Sequence, residues 1–282
     1  MKKTYISIFT ALLGTAIFFS GCSKDDDNHG TPDDQTGSLK IHLDHKVDLG
    51  DEIKPLRLST SSGSDVPADS VQYINASGNE FTISQLRYFV GDLILVKDDL
   101  SEVKIDQYYL IQHRNSHEPD EEFVLDNIPT GRYVSVKFKI GVKPEDNASA
   151  ATEGKGELVV GDQMNWTWDT GYIFYKQEGQ FKTNEGEWKN YKFHIGTDAA
   201  YPSKYTESVI PGGVRVQSGQ TSTIHYLVNL NALFGLQGHG LHGSQLVDLN
   251  TTSMVHANNA ALTGNWGAHM FEINHTHEPH SH

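Results

Sequence analysis

Cysteine is almost missing from this sequence: its 282 residues include one, Cys22. A single thiol cannot close a disulfide within the chain, and zinc or iron–sulfur sites built on several thiolates are excluded with it. Basic side chains are also scarce, 22 Lys and Arg against 36 Asp and Glu. The net charge of −14 argues against nucleic acid and anionic headgroups as partners, because both need a basic patch. The short motifs of common enzyme chemistry are lacking as well: no G-x-S-x-G elbow, no H-E-x-x-H, no phosphate-cradling loop and no D-x-[DN]-x-[DN]-G calcium run occurs. No catalytic residue is assigned, and the chain reads as a binding protein and not an enzyme. The acidic residues Asp65, Asp69, Glu118, Asp120, Glu121 and Glu122 read as solvated surface.

Long apolar runs are confined to the beginning. Lys2 and Lys3 form a positive segment, Tyr5 to Phe19 an apolar one, and Ser20, Gly21 and Cys22 a small-residue cleavage site. The arrangement resembles a bacterial lipoprotein signal over residues 1–21, with Cys22 as the lipidated first residue of the mature chain. Acyl chains would then supply the membrane attachment, the apolar run being short for a spanning helix. Residues 22–38 are polar and acidic, the composition of a flexible tether. Ser23, Lys24 and Asp25 to Asp27 after the lipid cysteine resemble the export signal that carries Bacteroidetes lipoproteins to the outer face of the outer membrane.

From Leu39 onward the pattern has period two. Leu39, Ile41 and Leu43 alternate with Lys40, His42 and Asp44; Val134 to Val142 and Ile224 to Leu230 behave alike, each a half-buried strand. Asn75 to Asn79, Ile128 to Gly131 and Pro211 to Gly213 carry turn chemistry. Ser84 to Val90 suggests a short helix or turn before a strand at Leu93 to Lys97, and the Gly-, Asn- and His-rich region from Phe234 to Trp266 is left unassigned. The fold class is all-β: one antiparallel β-sandwich-like domain with long loops, over residues 39–282.

Aromatic residues concentrate in Met164 to Gly179, which holds Trp166, Trp168, Tyr172, Phe174 and Tyr175. A break near Asp169 to Gly171 resets the strand phase, so the stretch reads as strand, turn and second strand. Fifteen residues beyond it, His194 stands between Phe193 and Ile195 and faces away from both.

These landmarks in order are similar to the MbnP-like copper-binding family: Leu39 to Val47, Phe81 to Val90, Tyr108 to Ile111, Ile128 to Tyr133, Phe138 to Val142, Met164 to Trp168 with Gly171, Tyr172, Glu178 and Gly179, and Phe193 to Gly196. The resemblance implies that histidines bind copper, as Cu(I) or Cu(II), close to a tryptophan that a partner di-haem, peroxidase-like enzyme oxidises to kynurenine. That tryptophan would be Trp166 or Trp168, and His194 is the histidine that transfers. Family members carry a second histidine after the segment equivalent to Gly141 to Asn147; this chain has Ala148 there.

Other histidines could complete a site. His42 and His45 lie on opposite faces of the first strand. His239 and His242 stand three apart in a glycine-rich loop, and the tail from His275 to His282 repeats His-x-His. The sequence therefore implies an outer-membrane lipoprotein, exposed at the cell surface, that handles copper. The alternative is an envelope adhesion or glycan-binding sandwich in which Trp166 and Trp168 stack on sugars.

Overall fold

Thirteen residues from Thr36 to Asp48 alternate between half-exposed and buried side chains without a break, and they form the longest strand of one sheet, β1. The computed structural model describes residues 35–48, 52–60, 72–113, 121–148, 155–158, 163–167, 171–235 and 245–279. After β1 come β2 (Ile53–Pro55), β3 (Tyr73–Ile74), β4 (Glu80–Phe81), β5 (Gln85–Lys97), β6 (Glu102–Ile105), β7 (Tyr109–Gln112), β8 (Glu122–Pro129) and β9 (Gly131–Ile140). A short helix, α1 (Pro144–Asn147), precedes β10 (Tyr175–Lys182), β11 (Trp188–Ile195), β12 (Thr206–Val216), β13 (Thr221–Asn229) and β14 (Met254–Ala257). Short 3-10 turns lie at Asp198–Ala200 and Leu230–Phe234, and the helix α2 (Ala260–His269) and the strand β15 (Phe271–His277) come last. All belong to the compact unit Asp33–His282.

Among the described residues the strands form two sheets. The smaller follows the order β15-β13-β1-β2, with β8 also paired to β1; the larger follows β12-β9-β5-β10-β11-β14, with β3, β4, β6 and β7 attached. Their inner faces meet through aromatic side chains: Tyr88 of β5 touches Phe271 of β15, and Phe138 of β9 meets both Phe271 and Tyr226 of β13. The all-β sandwich expected from the alternation is what the chain forms. Most pairings are antiparallel, but β1 runs parallel to β13 and β11 parallel to β14.

Several local expectations are corrected. The stretch from Ser84 to Val90 is not a helix or turn; after a bend at Ser84, Gln85 to Val90 belong to the continuous strand β5, buried along most of its length. A strand covered on both faces loses the period-two signature, so its apolar run mimics helix in sequence. Pro211 to Gly213 does not end a strand. It is a register shift inside β12, between Val209 and Val214, on the edge strand where proline costs no ladder bond. Met164 to Thr167 makes no ladder of its own: an isolated bridge joins Asn165 to Tyr172, and the strand proper starts at Tyr175. Within the region left unassigned, β14 and α2 take shape, and Asn259 caps α2 through hydrogen bonds accepted from the amides of Ala261 and Leu262. The tail from Phe271 to His277 is a strand paired with β13, not a free tract.

Candidate metal centre

Three inward-phase positions on three segments bring His45, His113 and Glu121 together. His45 falls on the buried parity of β1 with Leu43 and Val47. His113 directly follows β7 in the parity of the buried Ile111, and its amide donates to the Leu86 carbonyl of β5 at 3.2 Å. Glu121 directly precedes β8 in the parity of the buried Phe123 and Leu125, and its carbonyl accepts from the Leu43 amide of β1 at 2.8 Å. The cluster thus lies between the sheets, drawing on β1 and β8 from one side and β7 from the other.

One donor atom from each of the three lies within 4.8 Å of the others. The His45 and His113 rings are 5.7 Å apart and nearly perpendicular, and His113 Nδ1 contacts Glu121 Oε1. His45 Nε2 meets the Tyr88 hydroxyl at 2.9 Å. Its other nitrogen, Nδ1, is 3.5 Å from Glu121 Oε1 and has no hydrogen-bond partner among the described residues. A buried polar atom left without a partner costs about 1–3 kcal/mol. Glu121, read from sequence as solvated surface, is therefore half-buried against two imidazoles.

Burial pushes the His45 pKa down to about 3, with Asp44 opposing and His42 reinforcing that shift. Burial also lowers His113 to about 4, His45 adding to the effect. Both rings are neutral near neutral pH, the form that ligates metal. A cleft of about 320 Å³ has His113 in its wall together with Arg87, Gln112 and Gln163.

The residues around His194 are arranged differently. His194 Nε2 is 2.7 Å from Glu178 Oε1, a contact that holds the Glu178 carboxyl below the usual carboxylate range. In the parallel register His194 stands opposite His256, their rings 5.8 Å apart. Trp166 is buried, and its indole N–H donates to the Gly196 carbonyl at 2.8 Å. Asn147 accepts from the Tyr172 amide at 2.8 Å and donates to Asp198 at 2.9 Å, which locks α1 to the aromatic segment.

The MbnP profile matches residues 36–257. The chain belongs to the MbnP family. One solved structure, "MbnP from Methylosinus trichosporium", matches at 13% identity over 80% of this chain and 82% of that chain, with a TM-score of 0.40. No curated protein matches.

Of the residues singled out in sequence, the structure brings His45 into a cluster of donors and leaves His194 beside Glu178 and His256. His42 points to the opposite face of β1 from His45. Trp168, His239, His242 and Cys22 lie outside the described residues. His113, Glu121 and His256 were not singled out as ligands. The signal for the first two was parity: an imidazole and a carboxylate stand in phase with buried apolar residues at strand ends. Ala148, which follows Asn147, offers no ligand, and His194 is already engaged by Glu178. The cluster of His45, His113 and Glu121 offers two neutral imidazoles, one carboxylate and one buried nitrogen with no hydrogen-bond partner among the described residues.

Proposed function

We propose that this MbnP-family chain is a copper-binding protein of the bacterial cell envelope, with His45, His113 and Glu121 holding the metal. The observation that carries this reading is the buried Nδ1 of His45, without a hydrogen-bond partner among the described residues, facing a second imidazole and a carboxylate. Imidazole donors suit copper, and the Irving–Williams order places Cu(II) above the other first-row divalent ions. Zinc accepts the same donor types, so selectivity is part of the test. The leader-like beginning and Cys22 support a lipid anchor in the outer membrane, facing the cell surface. Of the two candidate tryptophans, Trp166 lies within the described residues, and a di-haem peroxidase-like partner could convert it to kynurenine. With the side chain buried and its N–H engaged, Trp166 offers no platform for a sugar, which weakens the glycan-binding alternative.

The test is metal analysis of protein purified from its native host, followed by competition of the apo-protein for copper against chelators. One tightly held copper is expected, displaced neither by a tenfold excess of zinc nor by mild chelators, and lost in His45→Asn and His113→Asn. Full copper retention in both variants, or zinc held in preference, would sink the assignment. Peptide mapping of the same sample addresses the oxidation separately, because kynurenine carries one carbon fewer and one oxygen more than tryptophan.

A further inference from the structure

The outer face of the smaller sheet carries a second histidine constellation that the buried centre does not use. Parallel register sets His42 of β1 opposite His225 of β13, and antiparallel register sets His225 opposite His275 of β15. Adjacent strands lie about 4.7–4.9 Å apart, so side chains in register on one face stand at ring-contact distance. The rings do: His42 to His225 is 4.9 Å, His225 to His275 is 4.3 Å and stacked, and His275 to His277 is 4.9 Å. His277 also reaches back to His225 at 5.1 Å.

A backbone irregularity builds this face. Along β15, Phe271 and Ile273 are buried, and strict alternation would send His275 and His277 into the core after them. The register shifts between His225 and Tyr226, where Tyr226 pairs with Ile273 and His225 with His275, leaving Asn274 as the extra residue. The bulge reverses the phase, and His275 and His277 emerge on the solvent side with His225. Bulges re-aim side chains in this way near functional sites.

We propose that His225, His275 and His277, assisted by His42 and Asp44, form a solvent-facing site for a borderline divalent transition-metal ion, Cu(II) foremost. One nitrogen from each of His225, His275 and His277 lies within 4.8 Å of the other two, and the same holds for the donors of His42, Asp44 and His225. Metal–imidazole bonds of about 2.0–2.1 Å need donors roughly 3–4 Å apart, a small rotamer adjustment for side chains open to water. His42 is already engaged, with Nδ1 3.3 Å from Glu122 Oε2 and Nε2 3.4 Å from Asp44 Oδ1, so it serves as an auxiliary ligand and not as the anchor. The site shares no residue with the buried centre and lies across β1 from it, because His42 and His45 face opposite ways. A metal here would tie β13 to β15.

The experiment titrates metal-free mature protein with Cu(II) at neutral pH, following calorimetry and electron paramagnetic resonance. Wild type is expected to take up one more equivalent than the His225→Asn, His275→Gln double variant, with nitrogen hyperfine structure from several imidazoles. The His45→Asn, His113→Asn variant should keep that equivalent. His277→Gln, a single change at an exposed position, should weaken it at least tenfold and so covers the case of a double variant that misfolds. An unchanged stoichiometry and spectrum in the double variant, together with full affinity in His277→Gln, overturns the proposal. Loss of the equivalent on replacing His280 and His282 instead, with His225 and His275 intact, also overturns it and assigns the metal to the terminal residues.

Discussion

The Tyr88 hydroxyl and His45 Nε2 lie 2.9 Å apart and join the two sheets through one polar contact inside the core. Tyr88 is fully buried and packs against Tyr175 and Phe271, so its hydroxyl has little freedom. The contact fixes which way the His45 ring faces and leaves Nδ1 toward His113 and Glu121. Partners of this kind orient metal-ligating histidines, and their loss costs about 10–100-fold in metal affinity. Tyr88→Phe is thus expected to stay folded while chelator competition shows copper affinity reduced by about that factor. An affinity equal to wild type would mean that the hydroxyl does not position the ring.

Trp166 anchors the aromatic segment through its N–H to the Gly196 carbonyl. Trp166→Phe keeps much of the ring but leaves that carbonyl without its indole donor, which should lower stability by about 1–3 kcal/mol. Urea unfolding monitored by circular dichroism measures the change. A stability within error of wild type would show that solvent replaces the donor.

Gly196 itself has no room for a side chain. An added Cβ would sit 2.3 Å from the Tyr172 carbonyl oxygen and 2.7 Å from the Phe174 amide, both backbone atoms that cannot swing aside. Gly196→Ala should therefore cost about 1–3 kcal/mol through forced backbone movement. Gly78, with open space around its Cβ position but a positive φ, provides the contrast: any cost of Gly78→Ala there comes from backbone conformation alone. Thermal unfolding of the pair separates crowding from conformation.

Asp146 lies buried in α1, bonded by Lys155 at 2.7 Å and by the Tyr108 hydroxyl at 2.8 Å. Burial alone would raise its pKa, but those hydrogen bonds and the Lys143 charge outweigh it and hold the carboxyl below its ordinary value. The unfolded chain consequently takes up this proton first as pH falls. The stability that Asp146 contributes is complete above the unfolded value of about 4 and disappears as pH drops through the lower folded value. Asp146→Asn should cost roughly 1.5–3 kcal/mol at pH 7, with the gap to wild type narrowing below about pH 4. A gap that stayed constant down to pH 2 would show that the ionised carboxylate is not what matters.

Much of the fold was legible because alternation is a local property. In β1 the parity that places Leu39, Ile41 and Leu43 inside also sends His42 outward and His45 inward, and the chain obeys it. The same rule failed at β5, where burial on both faces erased the pattern, and at β15, where one extra residue reversed it. Of the candidate centre, His45 was visible as a histidine on the buried parity of a strand. His113 and Glu121 were not singled out, since a short strand end offers too few neighbours to make its phase conspicuous. His256 gained significance only from the parallel register that sets it against His194.

By itself the sequence determined the class of the fold, the family, the exclusion of thiolate chemistry and the facing of each residue along an unbroken strand, because these follow from composition, ordered motifs and a two-residue period. Which histidines become neighbours was decided by tertiary structure alone. His113 and Glu121 are eight residues apart, but His45 is far from both in sequence, and only the packing of β1 against β7 and β8 brings the three donors within 4.8 Å. His42, His225 and His275 meet through strand register, which depends on where a bulge falls and on which strands choose one another, and no local pattern encodes that choice.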